Sequence, residues 1–175
     1  MPEDLFYEFA MPNHPGLREF DCGNEKVNDY FKKCTWFNET KGKSSPSTYV
    51  FRTEKGGEVV GYIAMSFKKI AHPCDTSESR ARYLIIYMIG VNKKFIGKNN
   101  ARNQDVSYAK SILEIAEGHA IQDPNCVGVS LWVRSDNQRA INFYKKMGLS
   151  EDLGGPIPRD DKGAPFITMR KLLSI

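Results

Sequence analysis

The sequence predicts an α/β protein whose mixed, mostly antiparallel sheet contains a central βαβ unit and is flanked by helices. Its first half carries two β-rich runs around a short Gly-containing turn, which is typical of an antiparallel hairpin. Its second half alternates apolar strands with helical patterns, as a βαβ unit does. No linker or repeat divides the 175 residues, so we expect a single domain over residues 1–175.

The first half is expected to begin with a strand and a helix. Phe6–Met11 alternates apolar and polar side chains, as a half-buried strand does. Asn24 is a good N-cap for a helix. The apolar residues of that helix fall on one face: Val27, Tyr30, Phe31 and Cys34. The next two polar stretches, Thr40–Ser47 and Ala71–Arg82, are predicted to be loops.

Five further strands are expected. Two of them, Thr48–Arg52 and Glu58–Phe67, flank the turn at Gly56 and form the hairpin. The continuous apolar runs Tyr83–Val91 and Val127–Val133 predict strands buried on both faces. Phe166–Leu172 follows as the sixth and last strand.

Two more helices are expected in the second half. Asp105–Ala120 has apolar residues at helical spacing. Ser135–Met147 reads as a helix capped by Ser135 or Asp136 and closed by Gly148. The predicted order is therefore β, α, β, β, β, α, β, α, β.

Composition narrows the class of protein. Hydrophobic residues make up 41% and charged residues 26%, as in a soluble globular protein. No apolar run approaches the roughly 18 residues of a membrane span. The first ten residues lack the basic cluster of a signal peptide, so we expect a cytoplasmic protein. The net charge of +4 is compatible with an anionic cofactor or with RNA and indicates neither.

No metal site is expected. The cysteines are Cys22, Cys34, Cys74 and Cys126, and none pair at the CxxC spacing of zinc sites. His72 and Cys74 are close, but two ligands make a weak fragment. Free thiols in a reducing compartment are the simpler interpretation.

Two segments carry candidate chemistry. Ile89–Ala101 predicts a buried strand, a loop with Gly97 and a helix beyond, an arrangement whose backbone N–H groups can bind phosphate. Four basic residues add positive charge there: Lys93, Lys94, Lys98 and Arg102. A solvated basic loop is the alternative. Val133–Leu149 predicts a strand followed by a helix on which Ala140 and Tyr144 share a face. Core packing of that tyrosine is the alternative to a proton-donor role.

The second segment resembles the C-terminal signature of the GNAT (Gcn5-related N-acetyltransferase) superfamily. That signature reads Asn-x-x-Ala-x-x-Phe-Tyr-x-x-Met/Leu-Gly-Phe/Leu after a strand. The matching residues here are Asn137, Ala140, Phe143, Tyr144, Gly148 and Leu149. The predicted order of strands resembles that fold along nearly the whole chain. The resemblance implies an acetyl-CoA-dependent N-acetyltransferase, which uses no metal.

The resemblance also assigns residues to acetyl-CoA. The phosphate loop of the family, Gln/Arg-x-x-Gly-x-Gly/Ala, corresponds to Ile96, Gly97, Lys98, Asn99, Asn100 and Ala101. Ile96 replaces a polar residue and Asn99 replaces a glycine. The strand residues Ile89, Gly90 and Val91 are implied to bind the pantetheine arm, where their strand splays from Val127–Val133. Helix residues Asn137, Ala140 and Phe143 are also implied to bind the cofactor, and Tyr144 to protonate the coenzyme A thiolate.

The resemblance implies a primary amine as acceptor, and its identity stays open. Glu58, Glu78, Glu114 or a water chain could act as the general base. The segment from Phe20 to Phe31, with Cys22 and Gly23, resembles the bacterial toxin-like branch of the family. That branch implies aminoacyl-tRNA as acceptor and an antitoxin as partner. A catalytically weak acyl-CoA-binding module is a further alternative, and pairing of strand edges into a homodimer is possible in this fold.

Overall fold

A computed structural model describes residues 5–34, 47–71, 80–97, 99–100, 103–151, 163 and 165–173, with residues 99–100 and 103–106 described by their backbone. The helices are α1 (Glu25–Lys32), α2 (Tyr108–Gln122) and α3 (Gln138–Lys146). The strands are β1 (Phe6–Phe9), β2 (Ser47–Arg52), β3 (Val59–Ile70), β4 (Ala81–Val91), β5 (Asn99–Asn100), β6 (Asn103–Ser107), β7 (Cys126–Arg134), β8 (Ser150–Glu151) and β9 (Phe166–Leu172).

The described strands form a seven-stranded sheet in the order β1-β2-β3-β4-β7-β9-β8 and a two-stranded sheet of β5 and β6. Strand β4 runs parallel to β7. The pairs β1/β2, β2/β3, β7/β9 and β8/β9 are antiparallel. The predicted fold class, a mixed and mostly antiparallel sheet with helices, is therefore confirmed.

The chain groups into two compact units. The first unit comprises Met1–Ser66 and Tyr87–Ala116, and the second comprises Phe67–Ile86 and Glu117–Ile175. Each contains buried apolar side chains. The prediction of a single domain over residues 1–175 stays a prediction.

The first unit packs α1 onto the aromatic centre of β3. Tyr62 is fully buried, and its ring stacks on that of Phe31 with centroids 5.0 Å apart. The ring of Phe20 packs edge-on against that of Tyr62, with centroids 4.8 Å apart. Burial of each large apolar side chain contributes roughly 1.5–3 kcal/mol to stability. The short helix therefore depends on this contact, since eight residues form few helical hydrogen bonds of their own.

Local signals set the ends of α1 as expected. The side chain of Asn24 accepts a hydrogen bond from the backbone N–H of Val27 at 3.2 Å, which confirms the predicted N-cap. Glu25 lies in the first turn and Lys32 in the last, where each charge opposes the helix dipole.

The second unit contains α3 and the strands β7, β8 and β9. Ile141 and Tyr144 are the buried residues of this helix. Strand β7 buries Val129, Leu131 and Val133, which lie at alternate positions and share one face. A side chain at Gly128 would approach the backbone oxygen of Lys171 to 2.5 Å, so that position requires glycine.

Two expectations about where helices begin are corrected. Asp105–Ser107 belongs to β6 rather than to a helix, because β6 pairs with β5 and α2 begins at Tyr108. The N-cap of α3 is Asn137, whose side chain accepts from the N–H of Ala140, whereas Asp136 is held by Arg134.

Strands β4 and β7, predicted to be buried on both faces, are partly exposed. The side chain of Tyr87 in β4 is 37% exposed and that of Trp132 in β7 is 63% exposed, so neither strand is buried on both faces.

Element boundaries shift at several other places. Strand β1 ends at Phe9, and β3 extends to Ile70. Ala81 and Arg82, expected in a loop, begin β4, and Ser47 begins β2. Residues 40–46 and 72–79 of the predicted loops lie outside the described residues. Within the described part of the chain, no helix has the length and apolar character to cross a membrane.

Candidate functional site

The end of β4 is packed closely from one side by α1. Gly90 is buried, and a side-chain carbon placed on it would lie 2.8 Å from Val27 Cγ1 and 3.2 Å from Phe20 Cζ. A carbon on Gly61 would lie 2.4 Å from the carbonyl oxygen of Gly90. The glycine at position 90 therefore lets α1 approach the strand. Its neighbours Ile89 and Val91 are half-buried.

The turn after β4 is organised by Asn92. Its backbone N–H donates to the carbonyl of Val60 at 2.7 Å, and its side-chain amide donates to that of Val59 at 3.2 Å. The side-chain oxygen accepts from the N–H of Lys94 at 3.1 Å. One asparagine thus ties the turn to β3 and satisfies a donor inside it.

Two of the four basic residues expected to attract phosphate are already paired. Lys93 Nζ lies 2.9 Å from Asp21 Oδ2, and Lys94 Nζ lies 2.7 Å from Glu58 Oε1. Hydrogen bonding to Asp21 raises the pKa of Lys93. The expected excess of positive charge is therefore reduced at these two positions. Lys98 and Arg102 lie outside the described residues.

The segment then continues through Phe95 to Gly97. The Phe95 ring is buried edge-on against Tyr108, with centroids 5.0 Å apart. Gly97 has φ +73°, is exposed, and has open space where a side chain would begin. This left-handed conformation suits glycine.

The loop does not lead directly into a helix, which corrects the expected arrangement. The paired strands β5 and β6 stand between Gly97 and the start of α2 at Tyr108. The pairing of Asn99 with Ser107 nevertheless brings β5 beside the residue that precedes α2. Asn99 and Asn100 form β5, and Lys98 and Ala101 lie outside the described residues.

Helix α3 presents the candidate proton donor. The side chain of Tyr144 is 8% exposed, and burial raises its pKa to about 12. Within the described part of the chain, its hydroxyl makes no hydrogen bond. The neighbouring Phe143 ring lies 5.5 Å away, and both Phe143 and Ala140 are half-buried. Gly148 ends the helix with φ +91°, as predicted. The phenol is therefore held in its protonated, hydrogen-donating form at neutral pH.

The candidate bases differ little in their surroundings. Glu58 pairs with Lys94, and Glu114 pairs with Lys110 at 3.8 Å. Both carboxylates are about half exposed, at 47% and 46%. Glu78 lies outside the described residues. Neither described glutamate is distinguished as the base.

The segment before α1 forms a polar network that the sequence did not reveal. Asp21 Oδ1 accepts from the N–H of Gly23 at 2.8 Å and from the side chain of Asn28 at 2.9 Å. The Asn28 oxygen accepts from the N–H of Cys22 at 2.8 Å. An aspartate two residues before a glycine is a signal for such a turn and could have identified it. Burial, above all, raises the pKa of the Cys22 thiol, which disfavours a thiolate nucleophile.

A second network joins His14, Arg52 and Tyr62. His14 Nε2 lies 2.8 Å from the Tyr62 hydroxyl, and Arg52 Nη2 lies 3.2 Å from His14 Nδ1. Arg52 is buried and also donates to the carbonyl of Pro15. Among the residues that the structure describes, no group of three or more His, Cys, Asp or Glu side chains is arranged to hold a metal ion.

Comparison with protein families places these features in a known context. Residues 6–149 match the sequence model described as the acetyltransferase (GNAT) family. The matched range contains β4, the turn after it and α3. No curated protein matches the chain.

Solved structures share the fold at low sequence identity. A bacterial toxin is 18% identical with a TM-score of 0.70, covering 96% of this chain and 90% of that one. NAA60 of Arabidopsis thaliana, in complex with a bisubstrate analogue, is 13% identical with a TM-score of 0.64, covering 97% and 100%. AtaT complexed with acetyl-methionyl-tRNAfMet is 15% identical with a TM-score of 0.60, covering 93% of each chain.

Proposed function

Because the chain belongs to the acetyltransferase (GNAT) family, we propose that it transfers the acetyl group of acetyl-CoA to a primary amine by direct attack. The match over residues 6–149 is the observation that carries this proposal. It agrees with the Asn-x-x-Ala-x-x-Phe-Tyr pattern from Asn137 to Tyr144, which lies on α3 and its cap.

The cofactor would be bound largely by backbone groups. Ile89, Gly90 and Val91 would offer N–H and C=O groups to the pantetheine arm, as the free edge of a strand does. The segment from Ile96 to Ala101 would bind the pyrophosphate, and the exposed left-handed Gly97 supports this because no side chain obstructs its N–H. Asn137, Ala140 and Phe143 would complete the binding residues on α3.

The reaction forms a carbon–nitrogen bond and breaks the carbon–sulfur bond of the thioester. A neutral amine attacks the carbonyl carbon, and a backbone N–H near Val91 would stabilise the oxyanion. Coenzyme A leaves as a thiolate, and the amine proton passes to a base or to water. Placing the two substrates together would supply much of the rate.

Tyr144 would act on the departing sulfur. With a pKa of about 12, its hydroxyl is a weaker acid than an ordinary thiol, whose pKa is about 8.5. Complete transfer of its proton to the thiolate would therefore be unfavourable. We infer that Tyr144 donates a hydrogen bond to the sulfur as negative charge develops there. The proton that the amine loses to the base or to water then protonates the thiolate.

Release of free thiol tests the proposal. The protein is mixed with acetyl-CoA and a panel of primary amines, and coenzyme A is measured with a thiol reagent. Amine-dependent release supports transfer. Binding of acetyl-CoA without release in any mixture would identify an acyl-CoA-binding module instead, and absence of binding would contradict the proposed function.

Aminoacyl-tRNA is a second candidate acceptor. It is favoured by the similarity to a bacterial toxin and to AtaT, which was solved with acetyl-methionyl-tRNAfMet, and by the residues from Phe20 to Phe31. A mutant of AtaT was also solved with the C-terminus of the antitoxin AtaR and acetyl-CoA, so an antitoxin is a candidate partner here.

Transfer of labelled acetyl groups to a mixture of charged tRNAs distinguishes this acceptor from small amines. Periodate-treated tRNA that cannot be charged is the matched control. Growth arrest on expression, relieved by the product of an adjacent gene, would support the toxin role. Labelling that is equal for charged and uncharged tRNA would contradict it.

A further inference from the structure

Asp21 is the centre of the polar network before α1. Its carboxylate accepts three hydrogen bonds: two on Oδ1, from Gly23 and Asn28, and one on Oδ2, from Lys93 at 2.9 Å. Its backbone carbonyl accepts a fourth, from the N–H of Lys93 at 2.8 Å. These bonds, led by that of Lys93, hold the pKa of the Asp21 carboxyl far below its usual range. The carboxylate is therefore ionised at every pH near neutrality.

The network connects two parts of the first unit that are distant in sequence. Asp21 lies just before α1 and Asn28 in its first turn, whereas Lys93 lies in the turn that follows β4. Lys93 is joined to Asp21 twice, through its backbone and through its ammonium group. The preceding Asn92 is joined to β3 through Val59 and Val60. Asn92 is thus fixed to β3, and the adjacent Lys93 is fixed to the segment before α1.

The same helix also packs against the strand that precedes the turn. Val27 and Phe20 approach Gly90 so closely that a side-chain carbon there would lie 2.8 Å and 3.2 Å from them. The segment from Phe20 to Asn28 therefore supports both the end of β4 and Lys93 in the turn. These contacts fix the start of the segment from Lys93 to Gly97 and therefore the direction in which it runs.

We propose that Asp21 is a positioning residue for acetyl-CoA: by holding Lys93 it orients the segment from Lys93 to Gly97 before the pyrophosphate binds. The inference rests on the proposed function. Ordering a loop during folding removes an entropic cost from binding. In this arrangement Lys93 is a structural connection and not a ligand of the phosphates.

The substitution Asp21→Asn tests the inference. The amide keeps an oxygen for Gly23 but places an NH2 group or a neutral oxygen before the Lys93 ammonium. We expect the dissociation constant for acetyl-CoA, measured by calorimetry, to rise about threefold to tenfold, the size expected for a charge-assisted hydrogen bond at a partly exposed site. The KM for acetyl-CoA should rise equally, while kcat stays within about twofold.

Asp29→Asn is the matched control, because it removes the i,i+4 pair with Lys33 on the exposed side of the same helix. It should leave the affinity for acetyl-CoA unchanged. Thermal unfolding of both variants shows whether any loss of affinity follows only from a loss of fold.

Lys93→Met distinguishes a structural connection from a phosphate ligand. If Lys93 positions the loop, Lys93→Met and Asp21→Asn should weaken binding alike, and the double variant should be no weaker than either single variant. If Lys93 were released to bind phosphate, Asp21→Asn would tighten binding while Lys93→Met weakened it. If Asp21→Asn binds acetyl-CoA as tightly as the wild type or more tightly, the positioning role of Asp21 is overturned while the proposed function stands. Absence of acetyl-CoA binding by the wild-type protein overturns the proposed function and this inference with it.

Discussion

The Nε2 atom of His14 lies 2.8 Å from the hydroxyl oxygen of Tyr62, and this contact joins the turn after β1 to the buried centre of β3. Arg52 lies on the other side of the imidazole, with Nη2 3.2 Å from Nδ1. Burial first, and then the charge of Arg52, lowers the pKa of His14, although a hydrogen bond with Pro15 and the charge of Glu8 oppose them. The ring is therefore neutral in the folded protein at pH 7.

We expect this contact to make stability depend on pH. The folded pKa of His14 lies below the unfolded value of about 6.5, so the unfolded chain binds the proton more readily. The contribution of neutral His14 to the free energy of unfolding is complete above the unfolded pKa. It is lost as the pH falls through the folded pKa. Urea unfolding between pH 7.5 and 5.5 should show a falling free energy of unfolding, and His14→Gln should reduce the slope. His119→Gln is the companion variant, because burial lowers that pKa as well. An unchanged slope in both variants would contradict the assignment.

Tyr144→Phe should lower kcat by about two to three orders of magnitude, the usual loss when one hydrogen-bond donor to developing charge is removed. Acetyl-CoA binding should stay nearly intact, because the ring and its packing are kept. The free energy of unfolding should not fall, since the hydroxyl is desolvated without a hydrogen bond in the described part of the chain. Steady-state kinetics and calorimetry measure the two effects, and unchanged turnover would exclude the donor role.

Gly97→Glu should weaken acetyl-CoA binding by about tenfold or more. It places a carboxylate where the pyrophosphate is proposed to bind and forces a side chain into a left-handed conformation with φ +73°. Gly97→Asn is the control, because asparagine tolerates that conformation and carries no charge. Calorimetry should show a large loss only for the glutamate. Equal affinities for the two variants would mean that the phosphates bind elsewhere.

Gly90→Ala should lower the free energy of unfolding by about 1–3 kcal/mol, the usual cost of overpacking a core. The added methyl group would meet Val27 Cγ1 at 2.8 Å and the rings of Phe20 and Phe31 at 3.2 and 3.3 Å. Gly118→Ala offers the contrast, since nothing lies within 4 Å of its added carbon and alanine favours the helix. We expect that variant to be more stable than the wild type. Equal urea midpoints for the two variants would contradict the close contact with α1.

Features that depend on neighbouring residues were predictable from the sequence. Asn24 caps α1, and Phe166–Leu172 forms β9 with the predicted bounds. The turn at Gly56, with φ +72°, joins β2 to β3 as an antiparallel hairpin. Each of these follows from side-chain hydrogen bonds, alternation or backbone freedom within a few residues. The family resemblance from Asn137 to Leu149 was confirmed by the match to the GNAT family.

Features that depend on distant partners were not predictable. Asp105–Ser107 forms a strand because β5 is available to pair with it, although its apolar spacing suits a helix. The sequence indicates two free charges at Lys93 and Lys94, whereas the fold places Asp21 and Glu58 beside them.

The sequence by itself determined the strands and helices with strong local patterns, the family and the candidate proton donor Tyr144. The tertiary structure alone decided that burial raises the pKa of Tyr144, that Gly90 admits α1, and that Asp21 holds Lys93. The physical reason is range: capping and periodicity act within a few residues, whereas desolvation, close packing and ion pairing depend on groups that only the folded chain brings together.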